Sequence, residues 1–532
     1  MEKLTYDVAI IGYGPVGALL ANMLGQDGIS VLAVDRMADI YDKPRAINID
    51  HEVMRALQAV GLANEIEPRT ISHPGTDFIG MNDRLIKAFE PPVKPYPLYW
   101  SPNLMFIQPE FEPVLRKGAE RFANVSVRLS TTFVEAMQDA CGVDVLLEQD
   151  GKRDIVRARY VIGCDGGASP IRKQLGLTQE SLDFDEWWTV IDAWQTKPTA
   201  LPRRTTQYCL PTGPATYVVG PKTLRRWEIK LMPGETPDDF ADNEHVRKRL
   251  SAYVDPDAID LWRVATYRFH ALVAHDWQVG RIFLAGDAAH QMPPFMAQGL
   301  CSGFRDAINL NWKLSGVLRG RYDEALLSTY EEERKPHIRQ LVATAKNLGE
   351  IIGELDVDKA RVRDQILGDE LDSGKAITLR QRLIPDLTAG IIARSASGQP
   401  AVAAGTLFPQ PEVQTAVHDC VLLDDIIGEE FAVIAKKGSV ITLPNGSPHF
   451  GVHEVVPAGV VPREPDEFVD LTGTLAAWMD ANGSIAVIVR PDKYVYGIAT
   501  TEDELARMLR DLSAAVPAVS QEEKWPRERM VR

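Results

Sequence analysis

The stretch YDVAIIGYGPVGALLANMLGQDGISVLAVDR, residues 6–36, decides the fold. VAII is an apolar strand run, and Gly12, Gly14 and Gly17 spell GxGxxG directly after it. Ala18, Leu19, Leu20, Met23 and Leu24 then form a helical stripe, which Gly28 closes before a second strand, SVLAVD. Each glycine has its own task in such a βαβ unit. The first permits the tight turn, the second lets backbone approach a pyrophosphate, and the third allows close helix packing, with the phosphates at the helix N-terminus. Asp35 ends the second strand, where a carboxylate can accept the hydroxyls of an adenosine ribose. Gly12, Gly14, Pro15, Gly17, Asp35 and Arg36 are therefore the expected dinucleotide-binding residues. The motif does not say whether the dinucleotide is NAD or FAD.

The rest of the chain narrows the class. At 532 residues it exceeds one ordinary core and implies about three units. The net charge of −16, from 58 basic and 74 acidic residues, gives no electrostatic support for nucleic acid or an anionic membrane. Cys141, Cys164, Cys209, Cys301 and Cys420 are scattered, without CxxC or a histidine at zinc-ligand spacing, and read as reduced thiols. Strand-like sequence by Tyr6, after Glu2 and Lys3, leaves no room for a signal peptide, and no apolar run is long enough to span a membrane. A cytoplasmic protein is the expectation. No metal cluster, nucleophile triad or paired-carboxylate signature occurs, so the chemistry must come from a cofactor.

Beyond residue 36, EPPVKPYP at 90–97 suits neither a helix interior nor a central strand, and reads as an excursion over a second domain. Helix-like sequence at 111–122 precedes the strand runs VSVRLS, VDVLLEQD and RARYVIGCDG. Short strands between Gly and Pro over 186–270, including TYVVG and RRWEIKLM, suit a mostly antiparallel sheet. Helical periodicity returns from 304 to about 355. Glu331, Glu332, Glu333 and Arg334 within it read as a solvated helix face. A Gly, Ala and Pro-rich stretch leads to a third unit with strands FAVIA and IAVIVRP and a final helix, where Thr501 and Glu504 fit a capping box. The last residues read as a mobile tail.

Two further strand-to-helix turns carry an acid. ARYVIGCDGGASPIRKQLG, 158–176, ends a strand in Asp165-Gly166 and enters a helix carrying Arg172; FLAGDAAHQMPPFMAQGLCSGFRDAINLNWKL, 283–314, turns at Gly286-Asp287. Alone, the first is an acidic turn capping the helix at Ser169-Pro170 and the second a common Gly-Asp turn. Together, in this order and with the His and prolines after Asp287, the three motifs resemble the class A flavoprotein aromatic hydroxylases over the first 350 or so residues. PRAINIDHEVMRALQAVGL, IQPEFEPVL, CDGGAS, MPGET and GDAAHQMPP are most similar to the 3-(3-hydroxyphenyl)propionate hydroxylase branch.

The resemblance implies an α/β fold with a Rossmann-like FAD-binding domain, discontinuous over 1–75, 106–180 and 271–370. A mostly antiparallel-sheet substrate-binding domain, 76–105 and 181–270, is inserted into it. A linker (371–401), a thioredoxin-like C-terminal domain (402–515) and the tail (516–532) follow. It implies that Gly12, Gly14, Gly17 and Asp35 hold the ADP half of noncovalent FAD, with Asp35 where the class more often has Glu. Gly286 and Asp287 would meet the ribityl chain, Arg45 and Gln108 would contact FAD, and Asp165 would serve both FAD and nicotinamide. The loop holding Pro294, Phe295, Met296, Gly299 and Leu300 would face the isoalloxazine, its amides stabilising the reduced ring. His290 reads as an orienting turn residue, and Arg305 and Asp306 as structural.

The activity implied is hydroxylation of a phenolic, carboxylate-bearing ring ortho to its hydroxyl, with NADH or NADPH as reductant and O2 reacting through a flavin C4a-hydroperoxide. Tyr208, Tyr217, Trp227 and Tyr267 are candidates to line the substrate, and Arg203, Arg204, Arg226 or Arg268 to meet its carboxylate. The alternatives are a hydroxylase of the same fold acting on a polyketide-like or heterocyclic ring, and a non-catalytic FAD-binding scaffold. Cys420 lacks a CxxC partner, so the third unit is expected to serve packing or a homodimer rather than disulfide exchange.

Overall fold

A computed structural model describes residues 5–444 and 447–517. Glu2, Lys3 and the tail from 518 onward lie outside the described residues. Val8, Ala9, Ile10 and Ile11 are buried, as a central parallel strand covered on both faces requires. This strand, Thr5–Ile11, pairs in parallel with Val31–Val34 on one side and Lys152–Gly163 on the other. Val125–Arg128 and Ile282–Leu284 extend the sheet in parallel outside these two. The chain thus builds one flank first and then crosses to the other, so its topological switch point lies between Thr5–Ile11 and Lys152–Gly163. In open α/β sheets the crevice at the carboxyl ends of such strands is where ligands bind. The helix Pro15–Gln26, closed by Gly28, sits against the sheet with its Ala18–Leu20 run fully buried.

The second sheet has eight strands in the order His290–Gln291, Ile259–Ala274, Gln179–Gln195, Leu224–Lys230, Ala215–Val219, Thr205–Tyr208, Thr76–Ile79, Leu85–Phe89. All its pairings are antiparallel except that of Thr205–Tyr208 with Thr76–Ile79. One face packs Ile191, Tyr217, Trp227 and Ile229 against Val246 and Leu250 of the helix Asn243–Leu250. The other face turns toward the first sheet.

The third unit is a seven-stranded mixed sheet with Phe431–Lys436 near its centre, parallel to Phe450–Val455 and antiparallel to Ala486–Val489. Thr501 caps the last helix by accepting from the Glu504 N–H at 3.2 Å, but the Glu504 carboxylate answers to the Thr500 N–H, so the capping box is only half formed. This unit corrects the reading of residues 331–334. Glu332 is exposed and Glu331 half-buried, its carboxylate accepting from the Trp277 N–H at 2.9 Å, but Glu333 and Arg334 are each only 1% exposed. They share the buried stripe of helix Thr329–Gly353 with Tyr330, Ile338 and Leu341. Glu333 accepts from Lys313 Nζ at 2.8 Å and from Arg490 Nη2 of the third unit at 2.7 Å, and Arg490 also holds Asp492. Arg55 donates to Asp424 across the same junction. No helix among the described residues is long and apolar enough to cross a membrane, and no cluster there could hold a metal ion.

Candidate functional site

Three turns meet at the carboxyl ends of three adjacent parallel strands: Gly12–Gly14, Cys164–Gly166 and Ala285–Asp287. They line a cleft of about 410 Å³ that is closed on the far side by the second sheet. Gly12 has φ +102°, and a Cβ there would lie 2.3 Å from the Cys164 carbonyl oxygen. A Cβ on Gly17 would lie 2.0 Å from the Gly12 oxygen, whereas one on Gly14 would meet nothing within 4 Å. Gly14 and Pro15 line the cleft, so bare backbone faces it at the start of a helix. Asp35 braces this turn: its carboxylate accepts from the N–H groups of Tyr13 and Met37, each at 2.8 Å. It is not part of the cleft wall, and Arg36 is exposed.

The other two turns are tied together by Arg172, which donates to the Ala288 oxygen at 2.7 Å and the Gly167 oxygen at 2.6 Å. Asp165 accepts from the Ile171 N–H at 3.1 Å, while its Oδ1 is buried without a partner. Burial raises its pKa. Its neighbours Cys164 and Gly166, rather than its carboxyl, form the wall. Gly286 has φ +61° and projects Asp287 into the cleft. The Asp287 side chain is exposed toward the cleft, and desolvation by the cleft walls raises its pKa against the pull of His290 and Arg45. His290 is a clamp: its Nε2 lies 2.7 Å from buried Asp306, which also accepts from the Gly286 N–H at 3.0 Å and from Arg334 at 3.0 Å. Burial alone would raise Asp306, but its neighbours His290 and Arg334 and these bonds hold it low.

The loop 292–300 supplies Met292, Pro294, Phe295, Ala297, Gly299 and Leu300 to the wall. The Phe295 ring is gripped by Trp188, at a centroid distance of 5.1 Å, and by Phe184 and Phe269 at 6.0 Å. Met296, expected to face the ring system, is fully buried and is not part of the wall. Gly299 and Leu300 begin the 20-residue helix Gly299–Leu318, which has neither a side-chain cap nor an acid in its first turn. Its first N–H groups therefore keep their positive end toward the cleft. Behind it runs a buried chain: Arg305 donates to the Gln298 oxygen at 2.8 Å and to Glu52 at 2.6 Å, and the Tyr494 hydroxyl of the third unit donates to Glu52 at 2.7 Å.

Arg45 and Gln108 both line the cleft, and the Gln108 Oε1 accepts from the N–H groups of Arg45 and Ala46. The substrate candidates fare differently. Tyr217 and Trp227 point into the core on the other side of the second sheet, and Tyr208 packs against that core. Tyr267 is 38% exposed and bonded by Arg263. Side chains alternate along a strand, and the cleft takes the opposite parity: Thr205 and Gln207, Thr216 and Val218, Arg226 and Glu228. Arg226 reaches the wall, but its nitrogens are engaged with Asp192 at 2.7 Å, the Arg45 oxygen at 2.8 Å and the Pro44 oxygen at 3.3 Å. It braces the 44–45 loop and is not open to a carboxylate. Arg204 pairs with Asp77 and Glu90, Arg268 pairs with Asp185 at the surface, and Arg203 is exposed.

Among the cleft residues that escape sequence reasoning, Arg380 and His73 come from outside the strands of the second sheet. Arg380, from the stretch expected to be a linker, enters the wall 7% exposed and donates to the side-chain oxygens of Asn48 and Asn103. No carboxylate pairs with it among the described residues, and burial lowers its pKa to about 10. His73 stands in the same wall and accepts from the Gly75 N–H; burial, with Arg380 and Arg204 nearby, lowers it to about 3 and keeps it neutral. Neither belongs to a motif or a periodic stripe.

The donor set suits FAD. Bare backbone at Gly14 can meet a pyrophosphate, Asp287 can accept hydroxyls, and the uncapped helix at Gly299 can face a ring that gains negative charge. Comparison with known proteins agrees: residues 5–345 match the family model described as an FAD binding domain, and residues 405–515 match the HcaD C-terminal domain. A 3-(3-hydroxy-phenyl)propionate/3-hydroxycinnamic acid hydroxylase of Klebsiella pneumoniae is 34% identical over 93% of this chain and 92% of its own length. A probable NADH-specific resorcinol 4-hydroxylase of Rhodococcus jostii is 35% identical over 96% of both chains. Among solved structures, aklavinone-11 hydroxylase with FAD and aklavinone aligns over 96% of this chain and 99% of its own, with TM-score 0.78 at 20% identity, a likeness of fold.

Proposed function

Because the chain belongs to the FAD-dependent aromatic hydroxylases and is an NAD(P)H-dependent flavin monooxygenase, we propose that it hydroxylates a phenolic acid ortho to the existing hydroxyl. The observation that carries this reading is one cleft shared by the Gly14 backbone, Asp287, the 292–300 loop and the second sheet. When bound, FAD supplies the redox chemistry, taking reducing equivalents from NAD(P)H and activating O2. The protein's part is to hold it: Gly14 and Pro15 at the pyrophosphate, Asp287 at the ribityl chain, and the Gly299 and Leu300 N–H groups at the ring. Phe295, held by three aromatic rings, keeps the loop packed and dry, which limits loss of oxidising equivalents to water. Arg380, a buried cation without a carboxylate partner, is the residue assigned to the substrate carboxylate. We also read a discontinuous FAD-binding domain with an inserted substrate domain, a division that the membership of the first two sheets supports except at His290–Gln291, which joins the second sheet. The third unit we read as thioredoxin-like in fold alone, since Cys420 is a free thiol. The test is NADH and NADPH oxidation with a panel of phenols, with and without a carboxylate side chain, and isolation of the product. Stimulation by phenolic acids with an ortho-dihydroxy product is expected; no stimulation by any phenol would overturn the reading.

A further inference from the structure

A carboxylic side chain on the sheet face of the cleft has no part in holding FAD. Glu228 is 5% exposed and sits on the cleft face of Leu224–Lys230, paired across the sheet with Thr216 on one side and Val190 on the other. Its carboxylate accepts no hydrogen bond from the described residues. Thr216 gives its hydroxyl to Gln207, and the nearest cation, Arg226 Nη1, stands 3.8 Å away and donates elsewhere. A buried carboxylate without a donor is costly, and here its open side is the cleft. The position relative to the loop follows from the sheet. Trp188, whose ring grips Phe295, is two residues from Val190 on the same strand face, about 7 Å along it, and Glu228 is one strand over, about 5 Å.

We propose that Glu228 is the proton acceptor for the phenol hydroxyl of the substrate, an assignment that rests on the phenol hydroxylase reading above. The ortho carbon takes the far oxygen of an activated O–O bond, which bound FAD and O2 would supply and which breaks with its electron pair left on the cofactor side. As it does so, the phenol O–H bond breaks, the proton passes to a Glu228 carboxylate oxygen, and the O–H electron pair becomes the second bond of a ring carbonyl. When the ring regains aromaticity, its ortho proton leaves to water and Glu228 returns its proton to the carbonyl oxygen. No electrons are exchanged with the protein. The charged groups facing Glu228 are Arg226 on its own strand, Asp192 on Gln179–Gln195 and Arg263 on Ile259–Ala274, while Thr216 and Val218 of the adjoining strand carry none. Arg45, Asp287 and Arg380 complete the charged lining of the cleft. Burial raises the carboxyl to about 7, with Arg226 and Arg263 restraining the rise and Asp192 adding to it. The carboxylate is the working form, so kcat/KM rises as pH passes upward through about 7.

The test uses the FAD-loaded enzyme and its Glu228→Gln and Glu228→Asp variants, with flavin content as the check on folding. Glu228→Gln should lower kcat/KM for an ordinary phenol about 100-fold or more at pH 8 and abolish the rising limb. Glu228→Asp should restore the limb. For a polyfluorinated phenol, already ionised at that pH, the Gln defect should shrink to under about 10-fold, since little proton transfer remains. An intact limb in Glu228→Gln, or equal defects for both phenols, overturns the assignment and leaves the hydroxylase reading standing. A wild-type enzyme that no phenol stimulates overturns both.

Discussion

Gly14→Ala and Gly17→Ala should fail in opposite ways. At Gly14 the backbone lies at φ −74° and ψ −172°, which alanine adopts freely, and its Cβ would meet no atom within 4 Å. The cost to the fold is that of a poorer N-cap, about 1 kcal/mol or less. The new methyl would instead stand in the cleft, between the helix N-terminus and an approaching pyrophosphate. Pushing the phosphates back loses one or two charge-assisted hydrogen bonds, about 2–4 kcal/mol, or roughly 30- to 1,000-fold in FAD affinity. At Gly17 the Cβ would lie 2.0 Å from the Gly12 oxygen, and Gly12 is itself wedged against Cys164, so neither can move aside. That substitution should cost the fold about 3 kcal/mol or more. Guanidinium denaturation of each apoprotein, with FAD titration followed by flavin fluorescence, separates the two effects. A Gly14→Ala protein that binds FAD as tightly as wild type would refute the argument that the pyrophosphate rests on this backbone.

Asp287→Ala should lower the flavin-to-protein ratio after gel filtration, and unchanged occupancy would remove its ribityl role. Tyr494→Phe takes one donor from the buried Glu52 carboxylate, which should cost about 1.5–3 kcal/mol in denaturant unfolding. Because that chain ends on Gln298, the fraction of NAD(P)H oxidation released as hydrogen peroxide should rise; unchanged coupling would mean that the loop holds its place without the third unit. Glu333→Gln leaves Lys313 and Arg490 short of a counter-charge and should cost about 3–5 kcal/mol. Burial opposes ionisation of Glu333, yet the Arg490 and Lys313 charges hold its pKa below the usual range. Its stabilisation is therefore complete above its unfolded value of about 4.3 and is lost as pH falls through the lower folded value, so the variant should show a flatter acid limb of stability.

The glycine turn and its flanking strand and helix were legible because the pattern that marks them, apolar run, spaced glycines and helical stripe, lies within thirty or so residues, although Lys152–Gly163 and Cys164 complete their packing from far away in the chain. The orientation of the second sheet was not. Both its faces are covered, one by the helix Asn243–Leu250 and the other by the cleft, so alternation alone could not say whether Tyr217 or Thr216 looks at a ligand. Large aromatic residues attracted the reading and belonged to the wrong parity. Glu333 and Arg334 could have been found: they fall on the stripe of Tyr330, Ile338 and Leu341, and charges on a core stripe signal a buried network. Arg380 could not, because an irregular segment carries no period and its neighbours in space, Asn48 and Asn103, are far away in sequence.

The ion pairs at the third unit bear on how such chains can be recombined. The FAD-domain match stops at residue 345, which invites grafting of another relative's C-terminal half at that seam. Yet Glu333 needs Arg490, Arg55 needs Asp424, and Glu52 takes a hydrogen bond from Tyr494, each pair straddling the seam, the first and last buried and the second half-buried. A chimera joined there inherits half of every pair. These partners must be exchanged together, so the unit of modular inheritance in this protein is the buried pair rather than the domain.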